Sequence, residues 1–394
     1  MICHFDFCTL HFELFMLIGI DAHNLEGNRT GVGRYLFNLL QEWSKLSSKF
    51  KVQSSKFILY FKDEIPADVP RSALFEMKLF KVGSTAKFMH WNLWRAAKKD
   101  KVDILFCPGY VAPIFWQDKL ALTLHDIIYE AHPDWFEFKN PADKILLKWV
   151  SKRSAKKASV IFVPSEFSRN EVIKYYKVKS EKITVTYEAG EINAAETIGS
   201  QDLIKGRLNL KKQFAFFVGS IFNRRHMSEI ISAFGRLAKE RPDLQLLIAG
   251  KDRTKPEQHI DKLVSLLNEK LGRQAILRVD FVGDNDLKLL YQACAFFIWL
   301  SDYEGFGLPS LEAMALGAPV ITSDSTSLKE VAGSAALLIK NNSDVNEIYQ
   351  AMRRLVEDEN LRQELIRHGK EQAAKFSWEK CAEETLNGLI GIKS

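Results

Sequence analysis

The sequence predicts an α/β protein made of two Rossmann-like, doubly wound domains. Three observations support this fold class: a length of 394 residues, which exceeds one ordinary domain; short apolar runs that alternate with helical periodicity; and a polar stretch between two such series. Continuous apolar runs are typical of strands buried on both faces, and repeated strand-helix units imply parallel sheets. With 46% hydrophobic and 26% charged residues, the composition is that of an ordinary globular protein.

Each predicted strand is a short apolar run. In chain order these runs are 16–21, 56–61, 104–106, 121–124, 160–163, 183–185, 214–218, 245–249, 279–282, 295–300 and 319–322. Helical periodicity is clear at 228–241 and 286–293. The polar segment 188–210 separates the two series. The domains are therefore predicted at 16–197 and 198–375.

The N-terminal region excludes two classes of protein. The most apolar stretch, residues 5–20, is interrupted by Asp6, His11 and Glu13, so it falls short of the ~20 apolar residues that a membrane-spanning helix needs. It also lacks the features of a secretory signal, so a cytoplasmic location is expected. Residues 1–15 precede a strand that starts at Met16, and they are either a mis-called start or a short extra element.

The five cysteines form no CxxC pair, which argues against a disulfide framework or a zinc site.

Residues 144–157 form a basic helical segment in a chain with net charge +6. It carries six Lys or Arg residues together with Leu146, Leu147, Trp149 and Val150. Such a helix can lie on an anionic membrane surface, which would place the protein peripherally on the inner face of the membrane. The alternative is a helix that packs on the core and keeps its basic face in solvent. Nucleic acid is excluded as a partner, because the aromatic residues are not interleaved with the basic ones and no DNA-binding motif is present.

The segment 301–319, Ser-Asp-Tyr-Glu-Gly-Phe-Gly-Leu-Pro-Ser-Leu-Glu-Ala-Met-Ala-Leu-Gly-Ala-Pro, combines glycines, a proline and two carboxylates. It follows a predicted strand and leads into a helix expected to begin near Pro309, because proline fits the first helical turn. The free amides and the positive end of the helix dipole suit a diphosphate. Glu304 and Glu312 border this site and can accept hydrogen bonds from a sugar and a ribose. The alternative for Glu312 is a partner of the helix dipole alone.

The spacing Glu304-x7-Glu312 resembles the signature of the retaining family 4 glycosyltransferases, which have the GT-B fold. Further segments that resemble motifs of this family are 19–22, 30–35, 124–126, 163–168, 217–219, 317–322 and 328–333, so the likeness extends from Met16 to about Trp378. The resemblance implies that two Rossmann-like domains face a central cleft. It also implies that the final helix, within 376–394, crosses back to the first domain.

The resemblance implies transfer of a sugar from a nucleotide-diphosphate donor, held mainly by the second domain, to an acceptor held by the first. It also implies that Glu304 binds hydroxyls of the donor sugar and that Glu312 binds the ribose. His125 matches a histidine that contacts the donor sugar, the alternative being an ordinary hydrogen-bonded histidine at a strand end. The implied catalytic residues are Glu304, His125 and Arg225. The implied donor-binding residues are Gly31, Gly33, Ser220, Arg224, Arg225, Val282, Gly283, Glu304, Gly305, Phe306, Gly307, Leu308 and Glu312.

Two positions depart from the family pattern. Much of the family has Arg directly after the glycine of 217–219 and Lys a few residues later, and here these positions are Ser220 and Arg225, the latter preceded by Arg224. Arg keeps the charge and can hold a phosphate with two donors, although Arg and Lys are not interchangeable. The alternative for Arg225 is a solvated arginine at a helix start.

The Gly31-Val-Gly33 segment resembles the family's glycine-rich loop, which approaches the donor phosphates. A dinucleotide-binding fingerprint is not indicated, because its third glycine position is Leu36.

No metal ion and no cofactor are expected. Asp284-Asn-Asp286 superficially matches a DxD metal motif, but it precedes a helical run, so N-capping is expected instead. In enzymes of this family the helix dipole and basic side chains take the place of a divalent cation. The nucleotide sugar is a substrate, and GDP or UDP is the product.

The function implied is retaining transfer of a hexose, mannose or glucose, to a hydroxyl of a glycan or lipid-linked acceptor, in polysaccharide or lipopolysaccharide biosynthesis. Two alternatives remain open. One is a sugar-nucleotide 2-epimerase on the same fold, which would release product with no acceptor present. The other is a catalytically silent GT-B subunit that binds a partner, and only the altered phosphate-binding residues support it.

Overall fold

The structure is a computed structural model. It describes residues 16–27, 29, 31–45, 55–136, 138, 141–190, 200–211 and 213–392. Residues 1–15, discussed above as a mis-called start or extra element, lie outside the described residues. So do residues 191–199, which contain the expected domain boundary, and that boundary stays a prediction.

Thirteen strands are present in the described part of the chain. They are Met16–Asp21 (β1), Ser55–Phe61 (β2), Phe75–Leu79 (β3), Ile104–Cys107 (β4), Leu120–Thr123 (β5), Val160–Val163 (β6), Ile183–Val185 (β7), Gln213–Val218 (β8), Leu244–Ala249 (β9), Ile276–Val279 (β10), Phe296–Trp299 (β11), Val320–Ser323 (β12) and Leu337–Ile339 (β13).

Helices connect nearly all of these strands. The α-helices are Gly31–Lys45 (α1), Thr85–Lys87 (α2), Trp94–Asp100 (α3), Ile128–Ala131 (α4), Pro141–Lys157 (α5), Glu166–Tyr176 (α6), Ser200–Arg207 (α7), Met227–Glu240 (α8), Ile260–Leu271 (α9), Asp284–Ala293 (α10), Leu308–Ala315 (α11), Thr326–Ala332 (α12), Val345–Glu357 (α13), Glu359–Ala373 (α14) and Trp378–Ile390 (α15). A π-helix, Phe88–Leu93, joins α2 to α3, and short 3-10 helices lie at His23–Leu25, Pro133–Trp135, Ser180–Lys182 and Asn223–Arg225.

The strands form two sheets, one of seven strands in the order β3-β2-β1-β4-β5-β6-β7 and one of six in the order β10-β9-β8-β11-β12-β13. The strand pairs are parallel, with Ile18 opposite both Phe57 and Ile104 in the first sheet and Ala215 opposite both Leu246 and Phe296 in the second. Both orders reverse direction once, between β1 and β4 and between β8 and β11. Ligands of doubly wound sheets bind at the carboxyl ends of the strands at such a reversal.

The chain divides into two compact units. The first takes in the described residues up to Thr123, together with Trp149–Phe162 and the chain from Ala382 onward, and the second takes in Leu124–Lys148 and Val163–Cys381. In the first unit, the ring of Trp43 stacks on Phe57 at 5.1 Å, and its Nε1–H donates to the carbonyl of Ala382 in α15. In the second unit, Phe217 stacks on Trp299 at 5.2 Å.

The sequence misplaced one strand and missed two. The strand expected at 279–282 ends at Val279, because residues 280–283 form the loop before α10. The strands β3 and β13 lie at sheet edges and are only partly buried. In β3 the polar Glu76 and Lys78 interrupt the apolar pattern, and in β13 the apolar run is only three residues long.

Helix α5 covers the basic segment discussed above and exposes apolar side chains. Ile145 is 70% exposed, Leu146 53% and Trp149 52%. Among the helices of the described residues, none combines the length and the apolar character that crossing a membrane requires.

Candidate active site

Two loops meet at the carboxyl ends of β8 and β11, where the second sheet reverses its connections. The first loop, residues 219–226, leads into α8, and the second, residues 300–307, leads into α11. The N–H of Asp302 donates to the carbonyl of Arg224 at 3.0 Å, which ties the two loops together. Since neighbouring parallel strands end at the same sheet edge, the fold itself brings these loops into contact.

Arg225 and Glu304 form a buried ion pair across the two loops. Arg225 is only 8% exposed, and its Nε and Nη2 lie 3.3 and 3.2 Å from one Glu304 carboxylate oxygen. A third donor, Nη1, bonds the Ser220 carbonyl at 2.6 Å, and the guanidinium lies 4.0 Å over the Trp299 ring. Burial lowers the pKa of Arg225, and Arg224 adds to this while Glu304 opposes it. The pair therefore holds the Glu304 carboxylate in one orientation.

Gly219 makes this arrangement possible. Its φ is +129°, a conformation that side chains disfavour, and a Cβ there would lie 2.7 Å from the Trp299 ring and 3.1 Å from Nη1 of Arg225. Only glycine lets the backbone pass beneath the stacked arginine and tryptophan. Steric contacts in the structure thus require glycine at position 219 of the 217–219 motif.

Arg224 differs from Arg225 in its contacts. Its guanidinium lies 4.4 Å over the Phe222 ring, and its Nε is buried without a hydrogen-bond partner. Within the described chain, the structure gives Arg224 no ion-pair partner. Ser220, at the position where much of the family has arginine, is exposed and contributes its carbonyl to Arg225. Arg224 is thus the cation of this loop that is available to an anion.

Four successive backbone amides, those of residues 305–308, open the helix α11. As expected from the sequence, the helix begins beside Pro309, with Gly307 at its N-cap in a left-handed conformation. Within the described residues these four amides donate to no protein acceptor, while residues 305–307 are buried. Unsatisfied amides at a helix start bind anions, helped by the helix dipole.

His125 lies directly against this amide segment. A Cβ on Gly305 would lie 1.8 Å from the carbonyl oxygen of His125, so no other residue fits at 305 without displacement. The His125 ring is fixed from its other side, since Nδ1 lies 2.8 Å from a carboxylate oxygen of the buried Glu188. Glu188 lies just before residues 191–199, and no sequence motif identified it.

Asp126 adds a partly buried carboxyl group near Glu304. Burial raises the pKa of Asp126, and the Glu304 carboxylate acts in the same direction. The amide of Ile128, which donates to Asp126 at 3.0 Å, opposes this rise, as do His125 and Arg224. Asp126 belongs to the segment 124–126 that resembles a family motif, but no role is predicted for it from the sequence.

A second network, of hydrogen bonds, also joins the loop 219–226 to the loop 300–307. Nε2 of His226 lies 2.7 Å from Asp302, whose other oxygen accepts from Nδ2 of Asn342 at 2.8 Å. Burial alone would raise the pKa of Asp302, but the hydrogen bonds from His226 and Asn342 outweigh it, so the pKa is lowered. His226 is the N-cap of α8 and has a left-handed conformation, which is uncommon for residues other than glycine.

The remaining residues expected at the site in the second unit lie within α11 or just before α10. Glu312 is 5% exposed within α11, and the hydroxyl of Tyr291 lies 3.4 Å from its carboxylate. Gly283 is the N-cap of α10, and Val282 packs against the core just before it. The expectation that Asp284 or Asp286 caps this helix is wrong: both lie in its first turn without a side-chain capping bond, and Asp286 pairs with Arg207.

Gly31 and Gly33 lie in the first unit, at the start of α1. A Cβ on Gly33 would lie 2.2 Å from the carbonyl oxygen of Asn24, so packing of the preceding loop already requires this glycine. A Cβ on Gly31 would meet no atom within 4 Å. Open space at Gly31 is compatible with a ligand close to the backbone, and the roles expected for both glycines stay predictions.

Two family models match the chain. "Glycosyltransferase Family 4" matches residues 29–189, and "Glycosyl transferases group 1" matches residues 201–372. Together they span nearly all of both units. The chain belongs to glycosyltransferase family 4. The resemblance inferred from the Glu304-x7-Glu312 spacing is therefore confirmed, and this family 4 protein is a glycosyltransferase with a nucleotide-sugar donor and a glycan acceptor.

Two curated relatives of this glycosyltransferase are named as mannosyltransferases. The chain is 28% identical over 378 residues to O-antigen chain mannosyltransferase B of Escherichia coli, covering 91% of this chain and 95% of the relative. It is 31% identical over 241 residues to serotype-specific mannosyltransferase WbdA of Escherichia coli, covering 60% of this chain but only 29% of that longer protein.

Solved structures confirm the fold class. Sucrose-phosphate synthase from Thermosynechococcus elongatus superposes with a TM-score of 0.73 at 17% identity, covering 96% of this chain and all of that one. Such a likeness shows the fold alone, and the fold is GT-B. Among the described residues of this glycosyltransferase, no three His, Cys, Asp or Glu side chains converge as metal ligands do.

Proposed function

We propose that this glycosyltransferase is a retaining hexosyltransferase that moves mannose from a nucleotide-diphosphate donor to a hydroxyl of a glycan or lipid-linked acceptor. The reaction would belong to polysaccharide or lipopolysaccharide biosynthesis. The names of the curated relatives support mannose over glucose as the first donor sugar to test. A GDP or UDP product follows from the donor class.

The observation that carries this proposal is the row of four unpartnered amides at 305–308, which lies beside the Arg225–Glu304 pair. A diphosphate carries negative charge on several oxygens, and helix-start amides bind such groups well. Arg224 and Arg225 lie on the adjoining loop, where positive charge stabilises a leaving diphosphate. Glu304, oriented by Arg225, is suited to accept hydrogen bonds from hydroxyls of the donor sugar.

In the proposed reaction, the bond between the anomeric carbon and the diphosphate oxygen breaks while the acceptor hydroxyl attacks from the same face. The electron pair of the broken bond goes to the diphosphate, where the amides and Arg224 stabilise the charge. The proton of the acceptor hydroxyl goes to the departing phosphate oxygen. His125, held by Glu188, contacts the sugar, and no enzyme carboxylate acts as a nucleophile.

The first test is thermal unfolding with GDP, UDP, ADP and TDP, with and without magnesium. A ligand at 100 times its dissociation constant stabilises the folded state by about 2.7 kcal/mol, which gives a measurable shift. A shift with one base and without magnesium supports the proposal and identifies the donor class. The absence of any shift would contradict it and favour the silent-subunit alternative.

A second test separates transfer from epimerisation. GDP-mannose or the donor with the preferred base is incubated with the enzyme and with lipid-linked or glycan acceptors, and products are followed by NMR. An α-linked product from an α-linked donor, formed only when acceptor is present, supports retaining transfer. Conversion of the donor sugar with no acceptor present would instead show a 2-epimerase.

Helix α5 supports a further part of the proposal, contact with an anionic membrane through residues 144–157. The exposed Ile145, Leu146 and Trp149 share the helix with six Lys or Arg residues. Exposed apolar side chains insert at the headgroup level while basic residues attract anionic lipids. A lipid-linked acceptor would be reached from such a position.

A further inference from the structure

Three serine hydroxyls donate hydrogen bonds to carbonyl groups next to the unpartnered amides of residues 305–308. The Oγ–H of Ser327 donates to the carbonyl of Glu304 at 2.7 Å. The carbonyl of Gly305 accepts from the hydroxyls of Ser165, at 2.6 Å, and Ser168, at 3.0 Å. All three serines are buried, so these bonds are shielded from competing water.

The geometry of the peptide bond transmits this hold to the amides. A peptide unit is planar and trans, so the C=O of one residue and the N–H of the next point in opposite directions. Fixing the Glu304 carbonyl therefore directs the Gly305 N–H, and fixing the Gly305 carbonyl directs the Phe306 N–H. The serines lie on the carbonyl side of these two peptides, and the unpartnered amides face the other side.

The serines that bond Gly305 are themselves rigidly placed. Ser165 is the N-cap of α6, and its Oγ accepts from the N–H of Ser168 at 3.0 Å. The carboxylate of Glu330 accepts from the next two amides of that helix start, those of Glu166 at 2.9 Å and Phe167 at 3.2 Å. This carboxylate also accepts from the Tyr187 hydroxyl at 2.9 Å. The segments 163–168 and 328–333, which resemble family motifs, thus meet at the start of α6.

We propose that Ser165, Ser168 and Ser327 are positioning residues, which aim the amides of Gly305 and Phe306 at the donor diphosphate or sugar. The inference rests on the proposed function, because it presumes a donor at these amides. Donors already oriented where charge develops need no reorganisation during the reaction. Neither a Ser327→Ala change nor a Ser165→Ala/Ser168→Ala double change removes an amide. Each change removes a hydrogen bond to a carbonyl and so allows that peptide plane to rotate.

The test compares wild type, Ser327→Ala and the Ser165→Ala/Ser168→Ala double variant, with GDP and GDP-mannose, or UDP and UDP-glucose if the wild type prefers uridine. Affinity for the nucleotide diphosphate is measured by calorimetry, and donor consumption gives kcat and KM. Ser265→Ala is the matched control, because its hydroxyl also donates to a carbonyl, that of Asp261, but on the exposed face of α9. All assays are run well below the unfolding midpoint of each variant.

The expected result is a loss of about 10- to 100-fold in kcat/KM for both serine variants, since misplacement by about 1 Å can cost a hundredfold. Ser327→Cys, which retains a weaker S–H donor, should lie between Ser327→Ala and wild type. A purely structural role would lower the unfolding temperature and leave kcat, KM and affinity at wild-type values. That outcome overturns the inference alone, whereas a wild type that binds neither nucleotide diphosphate overturns the proposed function as well.

Discussion

Gly305 is the position at which a single added carbon tests the geometry of the site. An ideal Cβ there would lie 1.8 Å from the carbonyl oxygen of His125, 2.8 Å from its carbonyl carbon and 3.0 Å from Cβ of Asp126. The nearest atoms belong to backbone, which cannot rotate away as a flexible side chain can. Gly305→Ala must therefore move one of the two segments.

The size of the displacement follows from the same distances. Real Cβ atoms essentially never approach another heavy atom within 3.0 Å, so the contact at 1.8 Å requires a shift of at least about 1.2 Å (3.0 − 1.8). The carbonyl of Gly305 is bonded to Ser165 and Ser168, so the shift also strains those bonds. A misplacement of about 1 Å can lower the rate about a hundredfold. Overpacking of this kind typically costs about 1–3 kcal/mol of stability.

The assay measures kcat/KM for the donor, affinity for the nucleotide diphosphate and the unfolding temperature of Gly305→Ala. We expect a loss of about a hundredfold in kcat/KM with a folded protein. Gly206→Ala is the matched control, because a Cβ there meets no atom within 4 Å and the residue lies in α7, where alanine favours the helix. Wild-type affinity and turnover in Gly305→Ala would refute the assignment of the donor to these amides.

Three further predictions concern charged and exposed groups. Arg224→Ala should weaken nucleotide-diphosphate affinity in calorimetry, whereas Arg225→Ala should mainly lower kcat, since Arg225 is committed to Glu304; identical profiles would contradict this division. Because the native pKa of Asp126 is raised, the native state holds the proton more tightly, and the contribution of Asp126 to the free energy of unfolding falls as pH rises above about 4. Asp126→Asn should therefore raise the unfolding temperature at pH 7 but not at pH 4, and an equal gain at both would exclude this cause. In vesicle sedimentation, Trp149→Ser should reduce binding to anionic vesicles because it removes an inserting side chain, and unchanged binding by this variant would exclude Trp149 as a membrane contact.

The sequence predicted the central strands better than the edges. The run 160–163 coincides with β6 and the run 214–218 lies within β8, because interior strands buried on both faces are continuously apolar. The strand placed at 279–282 instead ends at Val279, and its apolar residues Phe281 and Val282 lie in a loop. Local apolarity alone does not distinguish a strand from a loop that packs partly on the core.

Part of the site follows from local sequence patterns, and part depends on contacts between residues far apart in the sequence. The start of α11 and the loop with Glu304 were predictable, since glycine, proline and carboxylate spacing is a local pattern. The contacts of Glu188 with His125 and of Ser165 with Gly305 join residues 63 and 140 positions apart. No periodicity or spacing in one sequence contains such pairs, so only the folded arrangement reveals them. The roles expected for Gly31, Gly33 and Glu312 stay predictions.

The residues that form the site lower the stability of the protein without a ligand. Arg225 is buried and Asp126 is partly buried, both have pKa values shifted away from their charged forms, and buried charges cost more than they return unless they are fully paired. The amides of the buried residues 305–307 donate to no acceptor among the described residues, and polar groups without a hydrogen bond destabilise a fold. The serines and Glu330 nevertheless hold this arrangement in place. A nucleotide diphosphate that accepts from the amides would remove part of that cost, so ligand binding should stabilise the 300–308 loop most, which amide hydrogen exchange with and without GDP or UDP would resolve.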